Sequence, residues 1–422
     1  MKLNFFLAVL CASPLLRAQV DATTLDHKVL LGYQGWFDCP GESTPQNPWS
    51  HWTRRRPAPE NLTIDGYPDL AEFAKSDLCP LEGFTIAGKQ AYLYSAWNPK
   101  IVDAHFGWMQ ENGLDGVLVQ RFLSDIPHRR ATGDVVLKNI MAAAKAHGRV
   151  FAIEYDVSGA SDEKFFQVMS EDWQYLVHDL KITQAPGYLH HKGRPVLSVW
   201  GMGFLDRHPP QDPEAAKKAI AWFKSGGPED CRVTYMGGVP ARWRTLGNDS
   251  RKEEAWSQVY AMMDVIQPWT VGRYGTDEAV DHWKTEVLVP DVARTKELAQ
   301  IYMPVVFPGF SWHNLNHAPP RNAKPNQIPR EGGQFLWKQA MNAREAGATV
   351  LKIAMFDEVN EGTAVMKMAS KRTDAPEQGY WLTLDADGLS LPSDWYLRVS
   401  GAITRVFHGQ AKVTKEIPVK PR

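Results

Sequence analysis

Leu114-Asp115-Gly116-Val117-Leu118-Val119-Gln120-Arg121-Phe122 is followed by an Ala-rich helical pattern over Asp134–His147, closed by Gly148. Next comes Val150-Phe151-Ala152-Ile153-Glu154-Tyr155-Asp156-Val157. Both outer runs are short, apolar and without strict alternation, as in strands buried on both faces. A helix between two such strands makes a parallel β-α-β unit. The same grammar extends in both directions. Further apolar runs are Val29–Phe37, Pro195–Met202, Cys231–Val239, Met262–Gln267, Ile301–Phe307 and Thr349–Phe356. Helical patterns lie at Pro99–Asn112, Asp162–Leu180, Pro213–Lys224, Glu253–Ala261, Glu278–Ala299 (with a break expected at Pro290) and Gly333–Ala346. A last helix opens at Pro392-Ser393-Asp394 with Ser393 as its expected N-cap. Eight alternating units predict a (β/α)8 TIM barrel, an α/β fold. An open doubly wound sheet alternates in the same way, but no glycine-rich dinucleotide turn follows the first run. No low-complexity linker is present. The expectation is therefore one barrel domain over residues 19–422 with elaborated βα loops, the longest being Asp38–Asn98.

Residues 1–18 read as a secretory signal: Met1-Lys2, a short apolar run and a small residue at Ala18. That run is far below the ~20 residues that span a bilayer, so no membrane span is expected and the mature chain is expected to be secreted or periplasmic. A formal net charge of -1 gives no reason to expect nucleic acid or an anionic membrane as partner. Cys39, Cys79 and Cys231 remain after the signal and lack C-x-x-C spacing, which disfavours zinc. An oxidising compartment permits one disulfide, for which Cys39–Cys79 is a candidate. His313 and His317 are four apart, but their Pro/Asn-rich loop disfavours a metal reading.

Barrel active sites lie at the C-terminal ends of the strands. The residues expected there are Tyr33-Gln34-Gly35-Trp36, Gln120-Arg121, Glu154-Tyr155-Asp156, Trp200, Arg242-Trp243, Trp269 and Ser311-Trp312-His313. The eighth run ends in Asp357-Glu358-Val359-Asn360-Glu361-Gly362-Thr363. Acids, amides and indoles at one rim suit a sugar, offering hydroxyl partners and flat apolar walls. The last cluster is the sharpest, with three carboxylates within five residues and Gly362 allowing a tight turn. Like charges this close repel, so one is expected to hold a proton at neutral pH, and a neutral acid beside an ionised base is the pairing glycoside cleavage requires. No G-x-S-x-G, Walker or Rossmann signature is present.

Phe356-Asp357-Glu358-Val359-Asn360-Glu361-Gly362-Thr363 resembles the F-N-E-W-H-E-G-T segment of glycoside hydrolase family 99, the endo-α-mannosidase family. Val29–Phe37 with Trp49-Ser50-His51-Trp52 resembles that family's aromatic first strand and its tryptophan-histidine-tryptophan patch, and Phe151–Tyr155 its third strand. Pro308–Asn314 and Ile328-Pro329-Arg330 resemble segments of a bacterial family 71/99-like branch. The resemblance implies a barrel hydrolase in which Glu361 is the general acid/base. Glu358 would then assist attack by the sugar's own 2-hydroxyl, giving net retention through an anhydro intermediate. It also implies that Glu154 lines the site, with Tyr33 and Trp36 as sugar contacts. Asp357, Val359 and Asn360 stand where the family has Asn, Trp and His, which leaves the sugar open.

Together these readings make Glu358 and Glu361 the candidate catalytic pair. The candidate substrate contacts are Glu154, Tyr33, Trp36, Trp52, Gln120, Arg121, Tyr155, Trp200, Trp269, Trp312, His313, Asp357 and Asn360. The expected partner is an oligosaccharide or polysaccharide, with no cofactor and no metal. Two alternatives stand beside this reading. One is another glycosidase on the same barrel, such as an exo-acting xylosidase or arabinosidase, or a pairing of Glu154 with Glu361. The other is a non-catalytic carbohydrate-binding barrel.

Overall fold

Each expected run forms a strand: β1 (Val29–Tyr33), β2 (Gly116–Phe122), β3 (Val150–Asp156), β4 (Arg194–Trp200), β5 (Thr234–Pro240), β6 (Val265–Trp269), β7 in two pieces (Ile301–Tyr302 and Val305–Val306) and β8 (Leu351–Ile353). This is a computed structural model that describes residues 19–42, 49–206, 212–316 and 322–421. The expected signal at residues 1–18 and His317 lie outside them.

All neighbouring barrel strands pair in parallel, in the order β6-β5-β4-β3-β2-β1-β8. The interrupted β7 closes the ring. Its first piece aligns Ile301 with Val265 of β6, and its second aligns Val305 with Lys352 of β8. Pro304 sits at the interruption and has no N–H to give, but its carbonyl still accepts from the Lys352 N–H at 3.0 Å. The result is a closed (β/α)8 barrel.

The helices are α1 (Pro99–Asn112), α2 (Ile126–His147), α3 (Phe165–His178), α4 (Pro213–Ala221), α5 (Ala255–Ala261), α6 (Asp277–Trp283), α7 (Val289–Glu297), α8 (Gln334–Glu345) and α9 (Trp395–Phe407). Three differ from the sequence reading. Helix α2 opens well before the expected Asp134, with a short helical turn at Ile126-Pro127, where proline suits a first turn, set off by a kink at Arg129 (φ -132°, ψ 16°). Pro290 does not break its helix. A π-helical turn, Lys284–Leu288, joins α6 to α7 and leaves Pro290 in the first turn of α7, where its missing N–H is harmless. The residue that caps α9 is Asp394 rather than Ser393. Within Asp38–Asn98, Cys79–Ile86 and Lys89–Leu93 form an antiparallel hairpin, tied by the Cys39–Cys79 disulfide to the segment after β1. Among the described residues no helix is long and apolar enough to cross a membrane.

The barrel axis is polar at one level. Lys352 of β8 donates to both oxygens of Glu154 on β3, at 2.8 and 2.6 Å, and to Gln267 Oε1 on β6 at 3.1 Å. Ser198 of β4 adds a bond to Glu154 at 3.1 Å. Lys352 and Glu154 are both fully buried, so each charge depends on the other. Lys352→Met leaves the Glu154 carboxyl in the interior without its charge partner, and urea unfolding is expected to show a loss of about 3–5 kcal/mol. The double variant Lys352→Met/Glu154→Leu is expected to regain most of it. A single variant as stable as the parent contradicts this account of the core.

Candidate active site

Side chains alternate along a strand, so one residue of register decides whether a group faces the axis or the helices. Register places Gln120, Glu154 and Ser198 side by side on the axis face, and Arg121, Tyr155 and Val199 side by side on the outer face. This sorts the expected contacts. Arg121 grips Asp172 of α3 at 2.6 and 2.7 Å and reaches Asp134 of α2 at 3.1 Å. The Tyr155 hydroxyl donates to the same Asp172 at 2.7 Å. Tyr33 also faces outward, fully buried, with its hydroxyl 2.9 Å from His105 Nδ1 of α1. These three bind the helical shell to the barrel, and their side chains point away from the axis-facing rim. Glu154 faces the axis but is fully buried, and its carboxylate is already engaged by Lys352 and Ser198.

The aromatic patch is scaffold as well. Trp36 is sandwiched between His51, at 3.8 Å and 6° between planes, and Phe122 at 5.4 Å, so both ring faces are covered. Burial and the Arg129 charge hold the His51 pKa down at about 3, so the stacked imidazole is neutral. Trp52 is buried under Phe37 at 4.0 Å and donates to the Tyr94 carbonyl at 3.0 Å. Neither Trp36 nor Trp52 offers a face to a sugar ring.

The eighth-strand segment folds back at Gly362, whose φ of +62° suits glycine. A Cβ there would lie 3.1 Å from Ser311 backbone and side-chain atoms. Buried Arg330 clamps the turn, donating to the Gly362 and Ala364 carbonyls at 2.7 and 2.8 Å. The Ser311 N–H donates to the Glu361 carbonyl at 2.8 Å. Asp65, deep in the long first loop, accepts from Ser311 Oγ at 2.5 Å and from the His313 and Asn314 N–H groups at 2.8 Å each. His313 Nδ1 lies 2.7 Å from the Ala323 carbonyl. Asn360 turns its amide onto the His51 and Thr63 carbonyls, at 2.8 and 3.0 Å, and is 4% exposed. It braces the loop between the two glutamates, and it too leaves the list of contacts.

Asp357 and Glu358 are folded inward at the β1–β8 seam. Asp357 accepts from the Gln34 and Gly35 N–H groups at 2.7 and 2.9 Å; burial pushes its pKa up to about 6 against those bonds. Asp357 therefore holds the end of β1. Glu358 accepts from Gln34 Nε2 at 2.6 Å and from the Asn360 N–H at 3.2 Å. Burial pushes its pKa well above the ordinary value, and the charges of Glu361 and Asp357 push it further. Glu361, half-buried, is the partner within electrostatic reach. Of the two, Glu358 is the carboxyl whose burial and neighbouring charges favour the protonated form, whereas the family resemblance implies the acid at Glu361. Around it the axis-facing rim keeps Gln34, half-buried Gln120, and Trp200 packed edge-on to half-buried Trp269 at 5.4 Å. Trp312 is half-buried beside Phe310 at 5.2 Å. Sequence reasoning placed Gln34 at the rim without making it a substrate contact, and gave no site role to Asp65, Arg330 or Lys352. Only Gln34 left a signal, lying two and four residues after axis-facing Gly32 and Leu30.

No family model matches this chain, and no curated protein matches it. Solved structures do. Two structures of the glycoside hydrolase family 99 endo-alpha-mannosidase from Bacteroides thetaiotaomicron, one with bis-tris-propane, align with TM-scores of 0.63 and 0.64 at 17% identity, covering 92% of this chain and 99% of theirs. A glycoside hydrolase-like protein aligns with a TM-score of 0.53 at 14% identity, over 94% of this chain and 97% of its own. The family that the eighth-strand motif resembles is one whose solved fold this chain shares.

A raised carboxyl keeps a proton that the unfolded chain has lost above roughly pH 4.3. The stability Glu358 contributes is therefore complete below that pH and falls as pH rises toward its folded value. Glu358→Gln removes the loss. Its unfolding free energy relative to the parent is expected to be unchanged near pH 4 and to rise steadily toward pH 8. The gain there should exceed roughly 1.4 kcal/mol, the free energy of a tenfold change in proton affinity. A difference between variant and parent that stays constant with pH contradicts the assigned direction.

Proposed function

We propose that this chain is a secreted, retaining glycoside hydrolase that cleaves α-glycosidic bonds in a glycan or polysaccharide, with Glu358 and Glu361 as its reacting pair. On this reading residues 1–18 leave as a signal and residues 19–422 act as one barrel domain. The observation that carries it is the pair itself, two carboxyls after β8 that repel, one buried with its affinity for a proton raised. Such a pair supplies acid and base from one shared proton. A 2-hydroxyl donating to Glu358 stabilises its ionised form and sends the proton to Glu361. Glu358 then takes the hydroxyl proton as the sugar's O2 bonds to C1, while Glu361 protonates the departing glycosidic oxygen. Water returns along the same path: Glu361 takes its proton, its oxygen bonds to C1, and Glu358 restores the hydroxyl. Two inversions give retention.

The fold shared with an endo-alpha-mannosidase supports this reading, and the Cys39–Cys79 disulfide supports export, since such bonds persist in oxidising compartments. A pure sugar binder is disfavoured because the Trp36 and Trp52 ring faces are covered. The choice of sugar stays wider than mannose, since Val359 and Asn360 are buried scaffold at positions where the family has Trp and His.

Glu358→Gln and Glu361→Gln are each expected to reduce turnover at least about 10²-fold while leaving circular dichroism unchanged. The substrates to screen are α-mannan and arabinoxylan oligosaccharides, whose 2-hydroxyl lies trans to the departing oxygen, with α-glucan, whose 2-hydroxyl lies cis, as the expected non-substrate. NMR of the first product is expected to show the substrate's anomeric configuration. Near-parental turnover in both variants, or an inverted product, sinks the proposal.

A further inference from the structure

At the N-terminal end of the barrel, opposite the carboxylate pair, α3 ends on His178. There a one-turn 3-10 helix, Glu229–Cys231, leads towards β5. His178 Nε2 lies 2.9 Å from Asp230 Oδ2 and 3.8 Å from Cys231 Sγ. One donor atom from each residue falls within 4.8 Å of the other two. The same ring nitrogen faces both partners, so this is not a relay in which histidine passes a proton from one nitrogen to the other. Three atoms that can each offer a lone pair lie close together instead.

We propose that His178, Asp230 and Cys231 bind a zinc-like divalent cation that clips the end of α3 to the entry of β5. Tetrahedral zinc bond lengths require about 3.4 Å between nitrogen and oxygen and about 3.6 Å between nitrogen and sulfur. The observed 2.9 and 3.8 Å lie within about half an ångström of those values. Water completes the fourth position. A thiolate with an imidazole selects zinc, cobalt or cadmium over calcium or magnesium, which prefer all-oxygen shells. Among the described residues Cys231 is also the cysteine left over by the Cys39–Cys79 bond, and Trp173 Nε1 fixes its carbonyl at 2.9 Å. Spacing rules could not reveal the cluster, because 52 residues separate His178 from Asp230.

The test adds Co2+ to the purified, chelator-treated chain. One equivalent is expected to bind and to give a thiolate-to-cobalt charge-transfer band that Zn2+ displaces. Cys231→Ser should lose the band. Since Cys231 is buried, His178→Ala and Asp230→Ala, at exposed side chains, provide the fold-neutral check. Each is expected to weaken binding about tenfold or more. Zn2+ should raise Tm in the parent but not in His178→Ala, and Ca2+ should not raise it in either. Sugar cleavage, where assayed, should be unaffected by all three substitutions. Absence of saturable Co2+ binding, binding without the band, or equal affinity in parent and variants overturns the proposal.

Discussion

Two neighbouring carboxyls buried where β1 meets β8 are the constraint around which the rim is built. An interior carboxyl is tolerated when its oxygens are hydrogen-bonded or when it keeps its proton. The seam uses both solutions. Asp357 is satisfied by the two N–H groups that end β1, so closing the barrel and satisfying the charge are one event. Glu358 has Gln34 and the Asn360 N–H, and Glu361 close enough to oppose its ionisation. The chemistry proposed for the pair follows from the same packing that seals the barrel.

Much of the rim exists to hold that seam still. Asp65 gathers the loop after β7, Arg330 holds the carbonyls after Glu361, and Asn360 ties the glutamate loop to the carbonyls of His51 and Thr63. The aromatic residues after β1 take the same part, with Trp36 filled in on both faces. Rigid positioning of reacting groups is worth a large part of a catalytic barrier, and on the proposed reading it would come here from backbone-directed hydrogen bonds more than from side-chain pairs.

The barrel was legible because its signal is local. Apolar runs and helix stops can be read a few residues at a time, and the eight runs meet the eight strands closely. The two glutamates were legible for a related reason, standing next to a strand end. Facing was not. A strand buried on both sides carries no alternation, so Tyr33 and Arg121 looked as suited to the rim as Gln34 and Gln120, though the first two belong to the helical shell. Partners distant in sequence were equally hidden. Nothing near Glu154 announces Lys352, 198 residues on, and nothing near Asp65 announces Ser311. A one-residue register and a long-range charge pair are tertiary facts, and both decide which groups face the rim.

The most direct measurement is a crystal structure of the Glu358→Gln protein with an uncleaved α-linked oligosaccharide. The account predicts the glycosidic oxygen within hydrogen-bond distance of the Glu361 carboxyl, and a 2-hydroxyl against residue 358. An oligosaccharide lodged instead in the cavity between β2 and α2 that Gln34, Arg121 and Arg129 line, with no glycosidic oxygen at Glu361 and no hydroxyl at residue 358, would contradict it.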